Sequence, residues 1–324
     1  MPRALITGVT GQDGQHLSEL LLSKGYEVWG LVRGHSADRI RAYRAEFPSV
    51  HLVEGDLTDL GSLIRAVEAA QPDEIDNLGS LSFVGLSFRQ PEATADITGL
   101  GPLRLLEAIR LSGQSGIRFY QASSSEMFGK VRESPQHETT PFYPRSPYGT
   151  AKAFAHHSCV NYRESYDMWI SCGILFNHEG PRRGSEFVTR KVSRGVARIA
   201  QGLETHLTLG SLEPQRDWGY AGDYVQAMWL MLQQDEPRDY VIATGQAHSV
   251  RELVVHALEA AGLEPDLDRY VRFDKALLRP AEVDYLVGDS SRARAELGWA
   301  PSVDFTGLVE MMVEHDLRVA AESR

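Results

Sequence analysis

Cysteine is nearly absent from this chain: 324 residues contain only Cys159 and Cys172. Two cysteines without metal-ligand or redox spacing exclude a disulfide framework and suit a reducing cytosol. Positive charge is also short, with 33 Lys and Arg against 44 Asp and Glu and a formal net charge of −11. A general affinity for nucleic acid or for an anionic membrane is therefore not expected. An anionic ligand must instead be held by a few locally placed arginines. No run approaches the roughly 18 continuous apolar residues that a membrane span needs. The N-terminus passes from Met1 into Ala4-Leu5-Ile6-Thr7-Gly8 with no charged-then-apolar leader, so a cytoplasmic location is expected. Internal repeats and low-complexity tracts are missing as well.

What remains is short apolar runs alternating with helical patterns, the signature of parallel βαβ units. Ala4–Thr7, Glu27–Val32, His51–Val53, Glu74–Leu78 and Ile117–Ala122 read as strands, followed by Trp169–Phe176 and Tyr240–Thr244. Leu17, Leu20 and Leu21 recur at helical spacing with Gly25 placed to end that helix; Leu63 and Val67 suit another, and Leu103–Leu111 a third behind Pro102. The expected fold is α/β: a Rossmann-type doubly wound parallel sheet with a smaller C-terminal substrate-binding region. The polar, Gly- and Pro-rich stretch Asn177–Arg190 breaks the alternation. Residues 1–176 are therefore assigned to the nucleotide-binding domain, with 217–247 returning to it, and 177–324 mainly to the substrate region.

Gly8-Val9-Thr10-Gly11-Gln12-Asp13-Gly14 is a GxxGxxG loop between the first strand and its helix. Glycine lets backbone approach a pyrophosphate, and the helix N-terminus faces the negative charge. The second strand ends in Leu31-Val32-Arg33, without the acidic residue that would hold a ribose 2′-hydroxyl. An arginine suits a 2′-phosphate, which favours NADP over NAD. Asp56 and Leu57 follow the third strand and Leu78 ends the fourth, where the adenine edge and the rest of the dinucleotide would lie.

Tyr148 and Lys152 stand four residues apart, on one face of a helix. A lysine cation stabilises a phenolate, which makes proton removal from a sugar hydroxyl feasible. Upstream, Ser123-Ser124-Ser125-Glu126 closes a strand end, the place where open α/β sheets bind ligands. Ser124 offers a hydroxyl to the substrate oxygen. Glu126 supplies a second acid/base that hydride transfer alone does not require. The neighbours His156 and His157 point in different directions on a helix, so no metal site is expected.

Together these segments resemble the GDP-mannose 4,6-dehydratase family, within the extended short-chain dehydrogenases/reductases. The resemblance rests on Leu5 to Gly14, Ser125-Glu126-Met127-Phe128-Gly129, Thr140 to Gly149 and Gly173 to Glu179. It continues through Phe187 to Lys191, Arg216-Asp217-Trp218-Gly219 and Arg279 to Asp284. It implies an internal redox cycle on GDP-mannose or another nucleotide-linked hexose. Tyr148 takes the C4 hydroxyl proton as hydride leaves C4 for NADP. Glu126 removes the C5 proton as water leaves C6, and hydride then returns to C6. Family positions holding the sugar nucleotide fall on Ser82, Asn177, Lys191, Arg216, Arg279 and Glu282; the two arginines suit the diphosphate and Glu282 a ribose hydroxyl. A homodimer or homotetramer is implied too.

The chain departs from the family pattern at four places. Ser124 stands for a usual Thr, Leu81 for a Gln, Gly180 for a Ser, and the segment Gly34-His35-Ser36 after Arg33 is short. Two other readings share part of the residue set: an NADP-dependent nucleotide-sugar reductase or epimerase, and a non-catalytic NADP-binding protein. Glu126 separates the dehydratase from the first, and Leu81 speaks for the second.

Overall fold

All seven apolar runs become strands of one parallel sheet. The structure, a computed structural model, describes residues 1–34, 37–114 and 116–322; His35 and Ser36 of the short loop lie outside the described residues. The first half alternates strand and helix: β1 (Arg3–Thr7), α1 (Gln12–Ser23), β2 (Glu27–Val32), α2 (Ala37–Glu46), β3 (His51–Glu54), α3 (Leu60–Ala70), β4 (Glu74–Asn77), α4 (Gly101–Ser112), β5 (Arg118–Ser124), α5 (Pro147–Tyr166) and β6 (Ile170–Leu175). The second half is less regular: β7 (Asn177–Glu179), α6 (Val188–Ala200), β8 (Leu207–Leu209), β9 (Gln215–Tyr220), α7 (Ala221–Leu232), β10 (Tyr240–Ile242), β11 (Ala247–Ser249), α8 (Val250–Ala260), β12 (Val271–Phe273), β13 (Tyr285–Leu286) and α9 (Phe305–Glu322).

The main sheet runs β10-β6-β5-β4-β1-β2-β3, with every pairing parallel. β1, β4, β5, β6 and β10 are buried on both faces, the setting that favours apolar runs, whereas β3 at the sheet edge is partly exposed. Leu17 and Leu21 of α1 pack with Val225 and Met228 of α7 on one face. Leu63 and Val67 of α3 pack with Leu105 and Ile109 of α4 on the other. The chain starts at β1, winds outward to β3 and crosses back to β4. The topological switch between β1 and β4 therefore opens a crevice at the strands' carboxyl ends.

A second sheet, β11-β9-β13 with β7 beside β9, and a small β12-β8 pair make up the rest. Val192 and Val196 of α6, Leu253 of α8 and Val309 of α9 close a separate core around Trp218. Trp218 stacks on Phe305 with ring centroids 5.9 Å apart, so its strand belongs to this second core. The return to the main sheet begins at Ala221, not at Trp218, and α7 and β10 carry it.

One residue runs against the apolar logic of the sheet. Asp76 of β4 is 1% exposed between Ile6 and Tyr120, its register partners on β1 and β5. Neither carboxyl oxygen has a hydrogen-bond partner among the described residues. Burial, with repulsion from Glu74 behind it, lifts this carboxyl well above its ordinary pKa. A raised folded-state pKa means that folding favours the proton. The contribution is intact below the unfolded carboxyl value near 4 and is lost as pH rises above it. Asp76→Asn is therefore expected to stabilise the protein by about 1–3 kcal/mol at pH ~8. Thermal midpoints taken across a pH series should show that gain shrinking towards pH ~4, where the carboxyl is already neutral.

Candidate active site

The crevice is a cleft of about 780 Å³, and every site residue singled out from the sequence lines it. Its first wall is the glycine loop. Gly11 precedes α1 in extended conformation, and no side chain caps the helix. The first-turn N–H groups are thus left without a side-chain acceptor, the arrangement that receives phosphate. A Cβ on Gly14 would lie 2.5 Å from Val9 Cα, so only glycine lets α1 start this close to β1. Arg33, Asp56, Leu57 and Leu78 extend the same wall. These features fit a dinucleotide.

The loop is tied to the substrate side by a buried ion pair. His178 Nε2 lies 2.9 Å from Asp13 Oδ2, and its Nδ1 lies 2.8 Å from the Phe176 carbonyl oxygen. With an acceptor at each ring nitrogen, both nitrogens carry protons and the ring is cationic. Burial opposes that charge, but Asp13 outweighs it and raises the His178 pKa. At Asp13 burial is likewise overcome by His178, which holds the carboxyl well below its usual range. Gln12 Nε2 completes the clasp, donating to Asp13 Oδ1 and to the His178 carbonyl, each at 3.0 Å.

The reactive wall is set by the start of α5. Ser146 caps the helix by accepting from Gly149 N at 3.0 Å, and Pro147 fills the first turn. Tyr148 and Lys152 then fall one turn apart, 8% and 3% exposed. Opposite them β5 ends at Ser124, whose hydroxyl accepts from Glu126 N at 3.2 Å and opens a short turn over Ser125–Met127. A Cβ at Gly149 would meet the Glu126 carbonyl oxygen at 2.6 Å. Glycine there lets α5 press onto the turn, so that the Tyr148 phenol and the Glu126 backbone N–H meet at the same serine hydroxyl.

Burial pushes the Tyr148 phenol up to about 12, with the Ser124 hydrogen bond working the other way. Burial brings Lys152 down to about 8. Lys152 Nζ donates to the Ala122 carbonyl at 2.7 Å and sits 5.8 Å from the Tyr148 ring centroid. The ammonium therefore faces the phenol ring from the next turn of α5. Glu126 is 7% exposed; its Oε1 meets Arg279 Nη1 at 3.3 Å, while Oε2 has no hydrogen-bond partner among the described residues. That second oxygen keeps its lone pairs free on the cleft wall.

On the substrate side, Arg216 Nη2 lies 3.1 Å and Arg279 Nη1 3.5 Å from the same oxygen of Glu282. Arg279 also reaches Glu126, so two guanidiniums and two carboxylates are linked here, and each guanidinium keeps N–H donors free of its carboxylate contact. Ser82, Asn177 and Lys191 line the same region. Of the adjacent arginines, Arg182 is engaged by Glu19 and Glu46, at 3.0 and 2.6 Å. Arg183 lies over the Phe187 ring at 3.6 Å and faces the cleft.

Arg39, His178 and Arg183 are among the cleft residues that have no role assigned by the sequence reading. His178 meets Asp13 across 165 residues, so no local spacing exposes the pair. Arg39 sits on the first turn of α2, beyond the short segment that follows Arg33. Gly149→Ala is expected to retain dinucleotide binding by calorimetry. Its kcat should fall by about two orders of magnitude in steady-state assays, the penalty for displacing reacting groups by ~1 Å.

Known proteins resemble this chain in sequence and in fold. The chain matches the sequence family described as GDP-mannose 4,6 dehydratase over residues 5–312. The GDP-mannose 4,6-dehydratase of Yersinia enterocolitica is 49% identical over 355 residues, covering 99% of this chain and 95% of that one. The Homo sapiens GDP-mannose 4,6 dehydratase is 49% identical, covering 98% of this chain and 91% of that one. Among solved structures, the UDP-glucose 4-epimerase of Thermus thermophilus, in complex with NAD, superposes with a TM-score of 0.81 at 28% identity, covering 97% and 98% of the two chains. RMD from Pseudomonas aeruginosa, complexed with NADPH, gives 0.81 at 26% identity over 98% and 99%.

Proposed function

The chain belongs to the GDP-mannose 4,6-dehydratase family, and from that premise we propose how its residues divide the reaction. The activity is lyase chemistry on GDP-mannose, giving GDP-4-keto-6-deoxymannose. The observation that supports the division of labour is that the Tyr148 phenol and the backbone N–H of Glu126 both bond the Ser124 hydroxyl inside the cleft, with the Glu126 carboxylate close enough to act on the phenol's charge. When bound, a dinucleotide held by the Gly8–Gly14 loop, Arg33 and Asp56 would supply the hydride acceptor for C4 and the hydride donor for C6.

Tyr148 is the base for the C4 hydroxyl, with Ser124 orienting that oxygen and the Lys152 ammonium lowering the phenol's pKa. The ketone so formed acidifies C5. Glu126 takes the C5 proton on its unpartnered oxygen and passes it to the C6 hydroxyl, which departs as water. The proton held at Tyr148 balances the reprotonation of C5. Arg216 and Arg279 hold the diphosphate by paired N–H donors, with Glu282, Asn177, Lys191 and Ser82 on the remainder of the sugar nucleotide. Leu81 stands half-buried on the cleft wall, its N–H donating to Thr98 Oγ1 at 3.0 Å, so the wall is held there by backbone.

Conversion should proceed without added reductant. Protein incubated with GDP-mannose is expected to release the 4-keto sugar with no net change in NADPH; dependence on stoichiometric NADPH would sink the reading. Glu126→Gln should lose about 10²–10⁴-fold in kcat while reduced nicotinamide accumulates on the enzyme, visible by its fluorescence.

The cofactor reading extends to NADP. Arg33 and Arg39 both line the adenosine end of the cleft, where no acidic residue ends β2, and guanidinium pairs with a 2′-phosphate. NADP⁺ is expected to raise the thermal midpoint more than equimolar NAD⁺, and Arg33→Ala to erase that difference. A homodimer or homotetramer in a reducing cytosol completes the proposal, with exposed Leu111, Phe154 and Tyr166 of α4 and α5 as its seam. Sedimentation equilibrium reads its size.

A further inference from the structure

Behind the cleft, three buried side chains from three strands form one unbroken hydrogen-bonded file. Gly79 N donates to Thr7 Oγ1 at 2.9 Å, and Thr7 Oγ1 donates to Asn77 Oδ1 at 2.7 Å. Asn77 Nδ2 donates to Gln121 Oε1 at 2.8 Å, and Gln121 Nε2 donates to the Ala122 carbonyl at 3.2 Å. That carbonyl is the one that receives Lys152 Nζ. Thr7, Asn77 and Gln121 are at most 1% exposed.

The direction of every bond is forced. A backbone N–H can only donate, so the Thr7 hydroxyl accepts from Gly79 and must give its own proton to Asn77. The Asn77 oxygen is thereby used, which leaves its amino group for Gln121. Gln121 accepts with its oxygen and turns its amino group on Ala122. Each amide has one orientation that satisfies the file, and reversing either one leaves two buried acceptors facing each other.

The file ends at the ammonium on which the phenol depends. Lys152 is buried, and no carboxylate lies within ion-pair distance of it among the described residues. Its charge rests on the Ala122 carbonyl, a group whose position the Gln121 amide fixes. Gln121 and Asn77 do not line the cleft, so they touch neither substrate nor dinucleotide.

We propose that Gln121 and Asn77 are positioning residues for the oxidation step: they lock the Ala122 carbonyl, hold the Lys152 ammonium towards Tyr148, and tie both to the Leu78–Gly79 wall of the cleft. The proposal rests on Tyr148 being the base, and it adds the residues that set when that base ionises. Loosening the carbonyl weakens the hold on the ammonium, and the phenol then ionises at higher pH.

The test is the pH dependence of kcat/KM in Gln121→Met, which keeps length and removes the amide. The acid limb should move up by about half a pH unit or more, which lowers kcat/KM roughly threefold below the limb. KM for GDP-mannose at the optimum should stay unchanged. A lowered thermal midpoint with the limb in its wild-type place would show a merely structural role and overturn the proposal. Asn77→Asp, of equal volume, serves where Gln121→Met does not fold. Its second oxygen turns the Gln121 amide around, so the limb should move in the same direction, and an unmoved limb there also overturns the proposal. Tyr148→Phe is assayed alongside. If it keeps activity, the reading of Tyr148 as base fails; if it is inactive while the limb stays in place, the positioning role alone fails.

Discussion

A buried ammonium with no carboxylate within ion-pair distance among the described residues sets the terms for this site. In the proposed mechanism Lys152 must be charged to make Tyr148 a base, yet burial brings its pKa down to about 8. A carboxylate partner would steady that charge, but it would also cancel the field the lysine exerts on the phenol. The fold answers with a neutral acceptor, the Ala122 carbonyl at 2.7 Å. A carbonyl dipole holds the ammonium and leaves its net charge intact. The capped start of α5, the end of β5 and the polar file behind them all serve to keep that one oxygen in place.

The second constraint is charge sharing on the opposite wall. Glu282 stands between Arg216 and Arg279, and Arg279 also reaches Glu126. Four charged groups are thus linked in the unliganded cleft, two of each sign. A chain with a net charge of −11 has no general field to draw in an anion, and this cluster is itself balanced, so under the proposed function the arginines act at contact distance, through directed N–H donors. The carboxylates keep the two guanidiniums separated and aimed.

What the sequence disclosed, and what it hid, follows from distance along the chain. The glycine loop and the Tyr148–Lys152 pair are local: strand, turn and helix geometry ties those residues together over a few positions. The strands were legible where burial on both faces leaves apolar runs. The clasp between Asp13 and His178 joins residues 165 apart, and the file from Thr7 through Asn77 to Gln121 exists only once three strands lie side by side in register. Both are products of packing. The same holds for Trp218, whose apolar character fits either core and whose place is decided by the ring of Phe305. Asp76 illustrates the reverse case, a polar residue in a strand that packing leaves without a partner.

The bare Cα at position 149 also has a bearing on how the enzyme fails. Helix and turn meet there with the Glu126 carbonyl in the space a methyl group would fill. In the proposed mechanism, proton abstraction at one carbon and elimination at the next are therefore mounted on a single rigid joint. A disturbance that shifts the helix drags both along, so damage at this contact would silence the two half-reactions together and leave no stalled intermediate behind.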